Sequence, residues 1–187
     1  MSPVHLIENI TFDELQVGQT AQLQRLIRMA DIQAFALVSG DVNPAHVDAE
    51  YADASRFHGV IAHGMFAGAL ISTLLGTEFP GPGTIYMAQS LQFERPVRVG
   101  DTLDVTLTVR DKDEANGNVN LDCSVRNQRG EQVVSGLALV KAPRHKITRP
   151  QADLPTLHLF DPEARLAEWV HGLLPGPAVR CAVVHPC

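Results

Sequence analysis

Apolar and polar positions alternate most regularly in the second half of the chain. Leu103, Val105, Leu107 and Val109 alternate with mostly polar residues over 102–110, and Val119, Leu121, Cys123 and Val125 repeat the pattern. A two-residue period puts the apolar side chains of a strand on one face, so both stretches predict half-buried strands. Asn116-Gly117 between them is a strong hairpin signal. A second turn, Asn127-Gln-Arg-Gly130, leads into a further strand over 131–141. Residues 20–28 alternate less regularly and also read as a strand, as does the long mixed stretch 84–93.

The period changes elsewhere. Ile32, Phe35 and Ala36 fall at helical spacing over 31–39, and Leu37 and Val38 widen that apolar face. Residues 48–55 predict a short helix capped by Asp48 with Tyr51 turned inward. Residues 62–76 carry almost no charge: Met65, Phe66, Leu70, Ile71, Leu74 and Leu75 surround Gly64, Ala67, Gly68 and Ala69. A helix apolar nearly all round is covered on most of its sides. It is too short to span a membrane, so a sheet is expected to wrap it, with the small residues permitting close approach. Residues 11–18 read as an entry loop and 78–83 as a Pro/Gly-rich break. An antiparallel meander after a buried helix gives an α+β fold.

Past residue 142 the pattern weakens. Residues 143–155 form a polar, proline-bearing linker, and Asp161-Pro162-Glu163 opens a helix running to Gly172 with Leu166, Trp169 and Val170 on one side. Leu174-Pro-Gly-Pro177 is a second linker, and 179–184 begins a valine-rich buried strand. The expected organisation is one domain over 1–142, a linker with a short helix over 143–177, and the truncated start of a further domain over 178–187.

Composition narrows the partners. The 187 residues are 45% hydrophobic and 19% charged, enough for one sizeable core. A formal net charge of −6 argues against nucleic acid but leaves room for a small anionic ligand met by a local basic cluster. The cysteines, Cys123, Cys181 and Cys187, suggest no disulfide framework and a reducing compartment. The start of the chain lacks a basic, then apolar, leader pattern and no segment suits a membrane span, so a cytoplasmic location is expected. His5, His58, His145, His158, His171 and His185 show no ligand spacing, and no metal site is expected.

The chemistry concentrates where the first apolar helix stops. Ser39-Gly40 is followed by Asp41, Asn43, Pro44 and His46 within one loop. Gly40 permits a turn that most residues resist, and Pro44 fixes its own φ while pushing Asn43 towards extended geometry. A loop this stiff can hold a carboxylate and an imidazole in fixed relation for general acid–base work. The same residues also suit a helix C-cap followed by an Asx turn, with His46 simply exposed. The residues themselves leave both open.

Phe35 and Ser39-Gly-Asp-Val-Asn-Pro-Ala-His46 resemble the signature of the MaoC-like, or R-specific enoyl-CoA hydratase (hydratase 2), family. Ile61-Ala-His-Gly-Met65 and Gly83-Thr-Ile-Tyr-Met-Ala-Gln-Ser-Leu-Gln-Phe93, then Pro96-Val97 and Gly100-Asp101, extend the resemblance from about Phe12 to Lys141. His58-Gly59-Val60 departs from it, where a proline or small residue is expected before the second block. The resemblance implies a hot-dog fold, a curved antiparallel sheet wrapped around a central helix, commonly paired as a homodimer. It implies hydration of a trans-2-enoyl-CoA to the R-3-hydroxyacyl product, with the acyl-CoA as substrate and no other cofactor.

By resemblance Asp41 and His46 hold and activate the water, and the Gly64 backbone N–H at a helix start meets the enolate oxygen; alternatively Gly64 is only a packing glycine. Asn43, Ser72 and Met65 are the expected substrate-binding residues. Asn43 reads more as a loop brace, and the Ser72 hydroxyl equally suits a bond to the preceding helical carbonyl. His63 reads as structural. Arg56, Arg95, Arg98, Lys141 and Arg144 are candidate partners for coenzyme A phosphates. Residues 178–187, with His-Pro-Cys187, resemble the opening strand of phosphate acetyl/butyryl transferases, implying a C-terminal phosphate acyltransferase domain. The competing function is a non-catalytic acyl-CoA-binding or oligomerisation domain of such a fusion, which has no need of Asp41, Asn43 and His46 together.

Overall fold

The computed structural model describes residues 5–154. The expected helix over 161–172 and the transferase-like stretch 178–187 lie outside the described residues. The strands are β1 (Leu6–Glu8), β2 (Thr20–Leu26), β3 (Ile85–Phe93), β4 (Thr102–Asp113), β5 (Asn118–Arg126), β6 (Gln132–Lys141) and β7 (Thr148–Pro150). The helices are α1 (Met29–Ser39), α2 (Pro44–Val47), α3 (Ala49–Ala54) and α4 (Gly64–Thr77).

The main sheet has five antiparallel strands in the order β2-β4-β5-β6-β3. Alternation acts as the pattern predicts. Leu103, Val105, Leu107 and Val109 of β4 and Val119, Leu121 and Val125 of β5 are buried in one core, while their polar neighbours face outward. Gly117 takes a φ of 71° in the β4–β5 hairpin and Gly130 one of 74° in the next, conformations that favour glycine. Cys123 is buried on the core face of β5, and that burial pushes its thiol up to about 11, so it remains protonated at neutral pH.

α4 lies on the core side of this sheet and contacts β2, β3 and β4. Ala67, Gly68, Leu70, Ile71, Leu74 and Leu75 are buried, whereas Met65, Ala69, Ser72, Thr73 and Gly76 form an exposed stripe. The sheet therefore covers one side of an almost wholly apolar helix, not most of its sides as the composition predicts. α1 behaves similarly: Ile32 and Ala36 are buried, but Leu37 and Val38 point away from the sheet and are exposed. α1 also begins two residues before Asp31. The Asp31 carboxylate accepts the Arg28 N–H at 2.9 Å from inside the first turn and pairs with Arg25 at 2.7 Å, so it stabilises the helix start from the third position. In α3 Asp48 caps by accepting the Tyr51 N–H at 3.0 Å. Ala52 supplies the buried contact there, and Tyr51 is exposed, contrary to the expectation from sequence. No helix among the described residues is long and apolar enough to cross a membrane.

Residues 143–150, expected as linker, pack on this folded unit instead. β7 pairs antiparallel with β1, and buried Asn9 holds the junction. Its amide donates to Pro82 O at 3.0 Å and His145 O at 2.9 Å, and its Oδ1 accepts from Ile147 N at 3.0 Å. Asn9→Ala breaks all three of these part-buried bonds, each typically worth ~0.5–1.5 kcal/mol net. The variant is expected to lose at least about 2 kcal/mol of unfolding free energy in a urea titration.

Candidate active site

The loop between α1 and α2 is a chain of short-range hydrogen bonds. Gly40 ends α1 with a φ of 74°, its N–H donating to Ala36 O at 2.9 Å. The Ser39 hydroxyl donates to Phe35 O at 2.7 Å and accepts from Asp41 N at 3.2 Å. Asp41 Oδ1 accepts from Asn43 N at 3.2 Å, an Asx turn, and Asn43 Oδ1 accepts from Ala45 N at 3.0 Å, capping α2 behind Pro44. The helix cap and the Asx turn are thus both present, and they do not leave His46 simply exposed. Its ring is half-buried, and its Nδ1–H donates to Ile61 O at 2.8 Å. A carbonyl can only accept, so this bond fixes the tautomer and leaves Nε2 open for chemistry.

The second quoted block meets this loop in space. Ala62 N–H donates to Val97 O at 2.8 Å, and α4 starts two residues later at Gly64. His63, just before it, is 3% exposed. Its ring stacks on His46 with centroids 3.9 Å apart and lies 5.0 Å from the Phe35 ring. An oxygen of the exposed Asp41 carboxylate and one nitrogen each of His46 and His63 lie within 4.8 Å of one another. Among the described residues this is the grouping within reach of a cation, and it arises from tertiary contact rather than from any ligand spacing in the sequence.

A cavity of about 280 Å³ opens beside the imidazoles, lined among others by His46, His63, Gly64, Phe93, Val97 and Val134. Gly64 is the first residue of α4, where helical N–H groups have no acceptor within the helix. A Cβ on Gly64 would lie 3.1 Å from the Phe93 ring, so the glycine also lets that ring close the cavity wall. Of the candidate phosphate partners, Arg56 and Arg95 line the cavity, and Arg95 also donates to Gln132 O at 3.3 Å. Arg98 instead bonds His58 O at 3.3 Å, Arg144 bonds Glu114 O at 3.2 Å and lies over Phe12, and Lys141 ends β6. Asn43 faces its own loop. Met65 and Ser72 stand on the exposed stripe of α4, away from the cavity lining. The sequence reads His63 as structural and gives Phe93 no role of its own; both line the cavity, and both sit inside the blocks that carry the family resemblance. In the departing segment, His58 takes a φ of 51°, unusual for a non-glycine residue, and Gly59 N–H ties the turn back to Ala52 O at 3.1 Å.

A long apolar helix lying on a five-stranded antiparallel sheet defines the hot-dog class. The MaoC like domain model matches residues 13–128, and the chain belongs to that family. It is 50% identical over 98 residues to an (R)-specific enoyl-CoA hydratase of Rhodospirillum rubrum, spanning 52% of this chain and 68% of the relative. It is 38% identical over 143 residues to a 3-hydroxybutyryl-CoA dehydratase of Methylorubrum extorquens, spanning 75% and 89% respectively. The unliganded R-hydratase of Pseudomonas aeruginosa superposes with a TM-score of 0.81 at 46% identity, over 83% of this chain and 100% of that one.

Proposed function

We propose that this chain is an R-specific enoyl-CoA hydratase, a hydro-lyase that adds water reversibly to trans-2-enoyl-CoA and forms R-3-hydroxyacyl-CoA. The observation that carries the reading is the Asp41 carboxylate beside His46, whose Nδ1 is tied to Ile61 O so that Nε2 remains open. Similarity to hydratases at up to 50% identity supports the same substrate class.

Water held between Asp41 and His46 loses a proton to the pair as its oxygen bonds Cβ of the enoyl thioester. The Cα=Cβ π electrons move towards the thioester oxygen, where the Gly64 N–H at the start of α4 stabilises the enolate; one such donor is typically worth about 3 kcal/mol. A proton then returns from the pair to Cα on the same face, giving syn addition. Asn43 braces the loop that aims Asp41, and Arg56 and Arg95 are placed for the coenzyme A phosphates. Incubation with crotonyl-CoA tests the reading: loss of the enoyl chromophore and formation of R-3-hydroxybutyryl-CoA, detected with a stereospecific dehydrogenase, are expected. The non-catalytic domain reading requires no turnover at all.

The working unit in this proposal is a cytoplasmic homodimer. β3 is an edge strand with Ile85, Met87 and Phe93 exposed, and the α4 stripe around Met65 is likewise uncovered. An apolar edge of this kind pairs readily with a second strand, and a partner there would cover the stripe that holds Met65 and Ser72, where both could then meet substrate. Met87→Lys places a charge on this edge. Light scattering is expected to show twice the chain mass for the wild type and a shift towards the single chain for the variant.

A further inference from the structure

We infer that His63 is a positioning residue for the acid–base pair: its side chain tethers the backbone of Asp41 and backs the ring of His46. The inference rests on the hydratase reading and adds to it a residue that acts through Asp41 and His46. His63 Nε2 lies 2.9 Å from Asp41 O, which can only accept, so Nε2 carries the proton and donates it. The bond crosses 22 residues and joins the start of α4, which supplies the Gly64 N–H, to the residue that supplies the carboxylate.

The cost of placing a histidine here sharpens the argument. His63 is 3% exposed, and its Nδ1 has no hydrogen-bond partner among the described residues. Burying a polar nitrogen without a partner is unfavourable. A buried site in contact with the rings of Phe35 and His46 would be filled more favourably by a phenyl or aliphatic group, were packing the only requirement. What a phenyl ring cannot supply is the N–H to Asp41 O. That bond acts on the main chain at the point where the loop turns from the C-cap of α1 into the Asx turn, and so sets where the Asp41 carboxylate points. The stacked ring restricts His46 from the other side, while Ile61 O fixes its tautomer.

Two variants of the full chain separate tether from packing. His63→Phe keeps a flat ring against His46 and loses the donor. His63→Gln loses the ring and places an amide N–H near the former Nε2. With crotonyl-CoA, His63→Phe is expected to lower kcat about 10–100-fold, the range for lost outer-sphere partners, with KM changed by less than about twofold. His63→Gln is expected to recover most of that loss. In an Asp41→Asn background the His63→Phe penalty should nearly vanish, because the tether acts through Asp41. Hydrogen exchange supplies a readout independent of activity: the amides of Asp41, Asn43, Ala45 and His46 should lose protection in His63→Phe and regain it in His63→Gln. Equal losses in both variants, an undiminished penalty in the Asp41→Asn background, or unchanged loop exchange in His63→Phe each overturn the proposal. Should His63→Phe fail to fold, His63→Gln decides: a folded variant with an unprotected loop overturns it. A wild type inactive on crotonyl-CoA refutes the hydratase reading instead, and the exchange data still judge the tether.

Discussion

Asp41→Asn is expected to lower kcat for crotonyl-CoA by about 10²–10⁴-fold, the usual range for a lost acid–base group, with the melting temperature nearly unchanged. The structure explains why chemistry and stability should part here. The carboxylate is exposed, and among the described residues its Oδ1 accepts only the Asn43 N–H at 3.2 Å. An asparagine side-chain oxygen can accept the same bond, and the backbone carbonyl that receives the His63 N–H is untouched. The loop therefore keeps its shape and loses only the negative charge and proton acceptor. Steady-state kinetics paired with a thermal melt make the comparison. Near wild-type turnover would remove Asp41 from the mechanism and leave the acid–base role to His46 or another group.

The second large effect is expected at His46. His46→Gln removes the titrating imidazole while leaving an amide that can still donate a hydrogen bond. Its kcat should fall by the same ~10²–10⁴-fold. Some stability should go as well, because the ring is half-buried, stacked on His63 and bonded to Ile61 O. If both residues act on one water, as proposed, the double variant should be little worse than the poorer single variant. Residual turnover in each should still give the R product, since the cavity beside the imidazoles remains. A double variant whose losses multiply would show that Asp41 and His46 serve separate steps.

How far the sequence reaches is clearest at particular residues. Asn116-Gly117 was legible as a hairpin because the positive φ at Gly117 is a demand on that residue alone, although the connection spans four residues, 114–117, rather than two. The stiffness of the acid–base loop was legible likewise: Ser39, Gly40, Asp41, Asn43 and Pro44 satisfy one another's backbone groups within a few positions. Tyr51 and Leu37 were misjudged because helical spacing identifies an apolar face without saying whether a neighbour covers it. The pairing of β1 with β7 was missed for a related reason. Strands of three residues carry no measurable period, and the Asn9 side chain that pins them meets partners 73 to 138 positions away.

The sequence by itself determined the α+β class, most strands and helices, and the presence of a carboxylate and an imidazole in one rigid turn. These depend on backbone preference, apolar period and hydrogen bonds between near neighbours. Only the tertiary structure decided which nitrogen of His46 is open, because Ile61 O is 15 residues away. It alone stacked His63 on that ring, brought Gly64 and Phe93 to one cavity wall, and left β3 at the sheet edge beside β6. Such contacts form where separately determined surfaces meet, and no local pattern along the chain encodes the meeting.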